Sequence, residues 1–174
     1  MKATGIVWRI DDLGRVVIPK EIRRSMRIRE GDPLEIYTDK DGSVIFKKYS
    51  VMGDMSETAT NIVKTLNLVL NQPVVVVDRD TVIAAAGKDS RSIMTSYISR
   101  EAAELMEYRC EKPSYMFPVC ENMEMPRGIC FFPIMAEGDV VGAIIVLDND
   151  LGMNDTQIEI VRTMAKYLGR EMES

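Results

Sequence analysis

Lys20, Arg23, Arg24 and Arg27 recur at i, i+3, i+4 and i+7 behind Pro19, the spacing that gathers four cations on one face of a helix. Ile22 and Met26 fall on the opposite face, where a core would lie. A short helix with one cationic and one buried face suits a polyanion, because each phosphate it neutralises releases condensed counterions. Arginine fits this work well, since its planar fork donates two parallel hydrogen bonds to a phosphate or a guanine edge. A solvated face balanced by Glu21 and Glu30 is the alternative that the charge pattern leaves open. The chain contains no histidine, so imidazole acid–base chemistry, His-activated nucleophiles and His-ligated metals are excluded. Cys110, Cys120 and Cys130 form no C-x-x-C pair, and their odd number points to free thiols. No catalytic residue, metal or cofactor is expected.

The elements that position these cations occupy the first fifty of 174 residues. Ile6, Trp8 and Ile10 alternate with Val7 and Arg9 as in a strand. Asp11-Asp12-Leu13-Gly14 reads as a turn in which Gly14 takes a positive φ. Val16 to Ile18 reads as a second strand, and Pro19 opens the helix, where its missing N–H costs nothing. Gly31-Asp32-Pro33 is expected to end that helix. Leu34–Thr38 and Ser43–Lys48 form a hairpin around the two-residue turn Asp41-Gly42. So small a unit buries too little surface to stand alone, so a second copy is expected to complete it.

Charge separates this segment from the rest. Residues 1–50 hold eleven Lys or Arg against eight Asp or Glu, a balance of +3, and residues 51–174 hold eleven against nineteen, a balance of −8. Two modules with different partners are expected, joined by a short linker at 51–54. Met55, Ala59, Ile62, Leu66 and Val69 step by four and three along a helix closed at Asn71. Pro73–Val77 is a buried strand, followed by Thr81–Ala86. Residues 92–108 read mainly as helix, and 114–119, 128–135 and 140–147 as strands. Asn154 and Gln157 form a capping box for a last helix that carries Ile158, Val161, Ala165, Leu168 and Met172 on one stripe. Both helical stripes fit pairing with copies of themselves, or packing on their own sheet. No segment has the length and apolarity of a membrane span, nor the start an apolar signal core, so a cytoplasmic protein is expected.

The run GIVWRIDDLGRVVIPKEIRR resembles the DNA-binding domain of AbrB-type transition-state regulators. The resemblance implies an intertwined, swapped-hairpin dimer with double-stranded DNA as partner. It points to Arg15, Arg23 and Arg24 as contacts, with Arg9 a weaker one, beside Lys20 and Arg27 of the stripe. Trp8 departs from the family, which commonly has a basic residue there. MazE-like antitoxins share this fold, so an antitoxin is an alternative. In residues 55–174 the element order, and the segment GDVVGAIIVLDND, resemble a GAF domain. The expected fold is therefore α+β, an AbrB-type β dimer at 1–50 followed by a GAF-like domain at 55–174. An AbrB-type head on a GAF domain resembles regulators of late sporulation genes that act in the forespore. GAF domains commonly enclose small molecules, and Tyr97, Tyr108, Tyr115, Phe117 and Phe132 lie where a pocket lining is expected. The second module then senses a small molecule or joins two dimers into a tetramer. GAF-type methionine sulfoxide reductases use pocket cysteines, which makes a reductase the alternative from another class.

Overall fold

The computed structural model describes residue 5, residues 7–88 and residues 90–173. The chain divides into two compact units, Met1–Tyr49 and Ser50–Ser174.

In the first unit, α1 spans Lys20–Ser25, with Pro19 as its N-cap rather than its first residue. The helix is shorter than the stripe of cations implies. Arg27 adopts a left-handed φ of +53°, Ile28 N–H donates to Arg23 O at 2.8 Å and Arg27 N–H to Arg24 O at 3.3 Å. These two bonds make a Schellman closure, with an arginine in the place usually held by glycine. The helix thus ends well before Gly31, and Arg27 leaves the face shared by Lys20, Arg23 and Arg24. No residue of α1 is buried, and Met26 is half exposed. Strands β1 (Leu34–Thr38) and β2 (Val44–Lys48) pair antiparallel from Leu34↔Lys48 to Thr38↔Val44. Asp39 N–H donates to Ser43 O and Gly42 N–H to Asp39 O, both at 3.0 Å, while Gly42 has φ +79°. The connection is therefore a three-residue loop closed by a left-handed glycine, not a two-residue turn. At the base of the hairpin, the Asp32 carboxylate meets Lys48 Nζ at 2.9 Å and accepts Arg29 N–H at 2.8 Å. Burial pushes that carboxyl up, but the Arg29 amide and the Lys48 ammonium outweigh it and hold it below the usual carboxylate range. Residues 7–10 and 15–18 are not laddered into strands. Ile6, at the start of the first expected strand, lies outside the described residues. A strand needs a neighbour for its N–H and C=O groups, and the described residues place none there.

In the second unit, five antiparallel strands stand in the order β4-β3-β7-β6-β5. They are β3 (Val74–Asp78), β4 (Val82–Ala86), β5 (Phe117–Pro118), β6 (Arg127–Ala136) and β7 (Asp139–Leu147). Helices α3 (Ser56–Leu70) and α5 (Asp155–Glu171) cover one face, and α4 (Arg100–Glu107) the other. This explains why β3 is an unbroken run of valines: Val74 and Val76 enter the core under α3 and α5, Val75 and Val77 the core under α4. The stripe of α3, which fits either a second copy or its own sheet, packs on its own sheet, with Ala59, Ile62 and Leu66 buried; Val69 is exposed. The same holds for Val161, Ala165 and Leu168 of α5. Asn71 closes α3 with φ +54°, and Asn154 and Gln157 exchange both bonds of a capping box.

In the second unit three segments differ from their reading in the sequence. Residues 51–54 are not an open linker but a helical turn, α2 (Val51–Asp54), whose Met52 is fully buried in the core under α3 and α5. Of residues 92–108, only Arg100–Glu107 is α-helix, preceded by a 3-10 turn at Ser90–Ile93. The backbone between them bonds to other segments instead: Ile98 N–H to Asp80 O and Ser99 N–H to Val119 O. The strand expected at 114–119 shrinks to Phe117–Pro118, at the sheet edge, where Pro118 has no N–H to extend the ladder.

Candidate nucleic-acid interface

The cationic face of the first unit consists of Lys20, Arg23 and Arg24, carried on α1. Lys20 and Arg24 are exposed. Arg23 is half-buried, and its Nε is shielded from solvent with no hydrogen-bond partner among the described residues. Such a donor favours an incoming acceptor, because leaving it unmet costs about 1–3 kcal/mol. Arg27 sits beyond the helix with its carbonyl accepting from Lys48 Nζ at 3.1 Å. Arg9 is exposed, in the unladdered segment beside Trp8. Arg15 is exposed but tethered, its Nε donating to the Asp11 carboxylate at 2.8 Å. The sequence-derived set is thus split: three cations on one helix, one on the 11–15 turn, one past the helix end and one on the unladdered segment 7–10.

The same unit exposes many apolar side chains. Val7, Trp8, Ile10, Leu13, Val16, Val17, Ile36 and Val44 are all exposed in the single chain. Scattered exposed apolar residues are ordinary, but this density in a unit of fifty residues marks a surface built to be covered.

In the second unit the five aromatic candidates do not line one cavity. Phe117 lies in the core under α4, packed edge-on against Phe131 at 6.0 Å and stacked with Tyr115 at 6.1 Å. Phe132 points through the opposite face, since neighbours on a strand alternate. There its ring lies 5.1 Å beneath the Arg162 guanidinium. Tyr97 and Tyr108 are largely exposed. An open cleft of about 900 Å³ lies elsewhere, at the start of α4 and the edge strand, lined by Ser99, Arg100, Cys120, Asn122, Met125 and Arg127 among others. The sequence offers no sign of it, because its walls come from a loop and a helix start without apolar periodicity.

The two buried thiols lie on opposite faces of the sheet. Cys120 belongs to the core under α4 and Cys130 to the core on the other face, while Cys110 is half-buried. Burial pushes the Cys120 thiol up to about 11 and the Cys130 thiol up to about 12, so neither supplies a thiolate near neutral pH. A thiol-disulfide reagent at pH 8 is expected to modify Cys110 first, and Cys120 and Cys130 only on unfolding. Rapid modification of Cys120 in the native protein would contradict this. Among the described residues, no group of three or more His, Cys, Asp or Glu side chains is placed to hold a metal ion, and no helix is long and apolar enough to cross a membrane.

Residues 54–173 match the family described as "Stage V sporulation protein T C-terminal, transcription factor", and residues 9–51 match "Antidote-toxin recognition MazE, bacterial antitoxin". Stage V sporulation protein T of Bacillus subtilis (strain 168) is 41% identical over 181 residues, covering 99% of each chain. The transition state regulatory protein AbrB of the same organism is 52% identical over 63 residues, which cover 33% of this chain and 65% of AbrB. Among solved structures, the GAF domain of an Acinetobacter phosphoenolpyruvate-protein phosphotransferase superposes with a TM-score of 0.53 at 11% identity, over 72% of this chain and 84% of that one. A type II free methionine-R-sulfoxide reductase from Thermoplasma acidophilum superposes with a TM-score of 0.52 at 7% identity, over 70% and 94%. At these identities the likeness shows the fold alone. Matched over residues 54–173 by the family's own model, and by a relative along 99% of its length, the chain belongs to the stage V sporulation protein T family of transcription regulators, an AbrB-like head followed by a domain of the GAF fold.

Proposed function

We propose that residues 1–50 bind double-stranded DNA as a swapped-hairpin dimer, through a surface that includes Arg9, Arg15, Lys20, Arg23, Arg24 and Arg27, and that the protein thereby regulates sporulation genes in the forespore cytoplasm. One observation carries this reading: a helix bearing three cations stands in a unit whose apolar side chains and unladdered segments, 7–10 and 15–18, are left open in a single chain. A second copy would give those segments their strand neighbours and double the cationic face. The named relatives, a sporulation protein and a transition state regulator, support the same reading. Sedimentation of the full chain tests the assembly, and immunoprecipitation of bound chromosomal DNA tests the binding. A monomer that enriches no DNA would end the proposal.

Trp8 is 55% exposed and cannot neutralise a phosphate. Trp8→Arg is expected to tighten DNA binding modestly and to steepen its salt dependence by about one unit of slope. Affinity that stays equal or falls would make Trp8 a packing residue of the dimer.

For residues 55–174 we propose a role in assembly, with a small molecule as a further partner. The cleft beside Cys120 is one location with room for such a ligand, whereas the five aromatic residues do not line one cavity. Tetramer formation would have to use outward side chains such as Leu68, Val69 and Tyr167, because the apolar stripes of α3 and α5 are spent on their own sheet. The protein is proposed not to be an enzyme. Two buried thiols on opposite sides of a sheet suit a reductase poorly, and a methionine sulfoxide reductase assay with a dithiol should show no turnover. Turnover that disappears on Cys120→Ser would reverse that conclusion. An antitoxin reading finds support in the head alone, whereas residues 54–173 match a transcription factor.

A further inference from the structure

An acidic residue on a DNA-binding face ordinarily weakens binding, and Asp11 stands on this one beside Arg15. Its carboxylate does more than carry charge. Oδ1 accepts Leu13 N–H at 3.0 Å and Arg15 N–H at 2.8 Å, while Oδ2 accepts Arg15 Nε–H at 2.8 Å. Two backbone bonds close the same turn: Gly14 N–H to Asp11 O at 2.9 Å and Asp11 N–H to Arg15 O at 3.1 Å. Gly14, with φ +75°, allows the chain to reverse there. The Arg15 side chain is 70% exposed, and its Nη1 and Nη2 have no partner among the described residues. A guanidinium held through Nε still offers the edge formed by its two Nη groups, which can donate two parallel bonds to a phosphate.

We propose that Asp11 is a positioning residue for DNA binding: its carboxylate holds the 11–15 turn closed and fixes Arg15 with the Nη edge of its guanidinium outward. This rests on the reading of Arg15 as a DNA contact. Two opposed effects decide the sign. Repulsion between the Asp11 carboxylate and a phosphate roughly 7 Å away through water is worth about threefold in affinity. Freezing an untethered arginine on binding is worth on the order of tenfold, since its side chain loses several rotatable bonds' freedom. Positioning therefore outweighs repulsion. The Arg15 amide and guanidinium already hold the Asp11 carboxyl below its usual range, as a carboxylate with three donors should be.

The test compares full-length variants on a labelled random-sequence DNA duplex. Asp11→Asn keeps an amide oxygen for the Leu13 and Arg15 N–H groups, so the turn persists, but loses the acceptor for Nε. It is expected to bind DNA about three- to tenfold more weakly despite removing a negative charge. The same substitution placed on Arg15→Ala is expected to leave affinity equal or raise it, because only repulsion is then removed. Tighter binding by Asp11→Asn alone would overturn the proposal, and so would weaker binding in both backgrounds, which would make Asp11 a fold residue with no link to Arg15. Wild-type affinity in Arg15→Ala by itself would sink the contact reading on which the proposal rests. Sedimentation of each variant confirms that the assembly is unchanged.

Discussion

Arg23→Ala combined with Arg24→Ala is expected to weaken DNA binding broadly across sequences and to flatten its salt dependence, by about one unit of slope for each phosphate no longer neutralised. Both residues stand on α1, but they differ in environment. Arg24 is exposed and would contribute chiefly as charge, while Arg23 has a shielded Nε that no described residue satisfies. Arg23 should therefore carry the larger share, because a partly desolvated arginine gives up less hydration when it reaches a phosphate or base edge. If either arginine reads a base edge, its removal costs about 1–3 kcal/mol at that position alone, which shows as relaxed sequence preference rather than a changed slope. Alanine is a good helix former, so α1 and its closure at Arg27 should survive the double substitution. Gel shifts at several salt concentrations measure all of this. Affinity and slope equal to the parent protein would mean that α1 does not face DNA.

The cations are legible in the sequence as a set, yet their arrangement is not. Periodicity places Arg27 in line with Lys20, Arg23 and Arg24 only if the helix continues, and what stops it is a Schellman closure around a non-glycine residue. Nothing in an arginine announces a left-handed φ. The second unit is clearest where local chemistry and burial agree. Four consecutive valines, the capping box at Asn154 and the left-handed Asn71 each have one physical meaning, and each is found in place. Residues 94–99 are read as helix from the sequence but are not helical, because the N–H groups of Thr95, Ile98 and Ser99 bond to Val82, Asp80 and Val119, distant in sequence. The aromatic residues do not make a pocket for a simpler reason. Phe117 lies in the core under α4 and Phe132 in the core on the opposite face of the sheet, while Tyr97 and Tyr108 are exposed, which a cluster drawn along the sequence ignores. The open edges of the head follow from size alone, since fifty residues cannot bury what they present.

Gly169→Ala should unfold the second unit far more readily than its position in a helix implies. By helix propensity the change is favourable by about 1 kcal/mol. A Cβ at residue 169, however, would run into the backbone oxygen of Met135, because α5 lies directly on β6 at that point. Backbone oxygens in a ladder cannot step aside, so α5 must lift, separating Val161, Ala165 and Leu168 from the sheet. The cost is expected to be about 3 kcal/mol, the upper end for overpacking, and to lower the unfolding midpoint by about 10 °C. Gly53→Ala is the matched control. Its Cβ would meet only Ser50, Cβ at 3.7 Å and Oγ at 4.0 Å, ordinary contacts, so the propensity gain should survive and stability should rise slightly. The single tryptophan, Trp8, lies in the first unit, so its fluorescence follows the head while far-UV circular dichroism follows mainly the helices of the second. The dichroism midpoint should fall in Gly169→Ala, and an unchanged midpoint would mean α5 is not seated on β6 as described. The function proposed for residues 55–174 enters through DNA affinity. If that domain assembles dimers into a larger unit, Gly169→Ala should weaken binding to DNA carrying several sites while leaving every cation in place, because what falls is the effective concentration between linked heads.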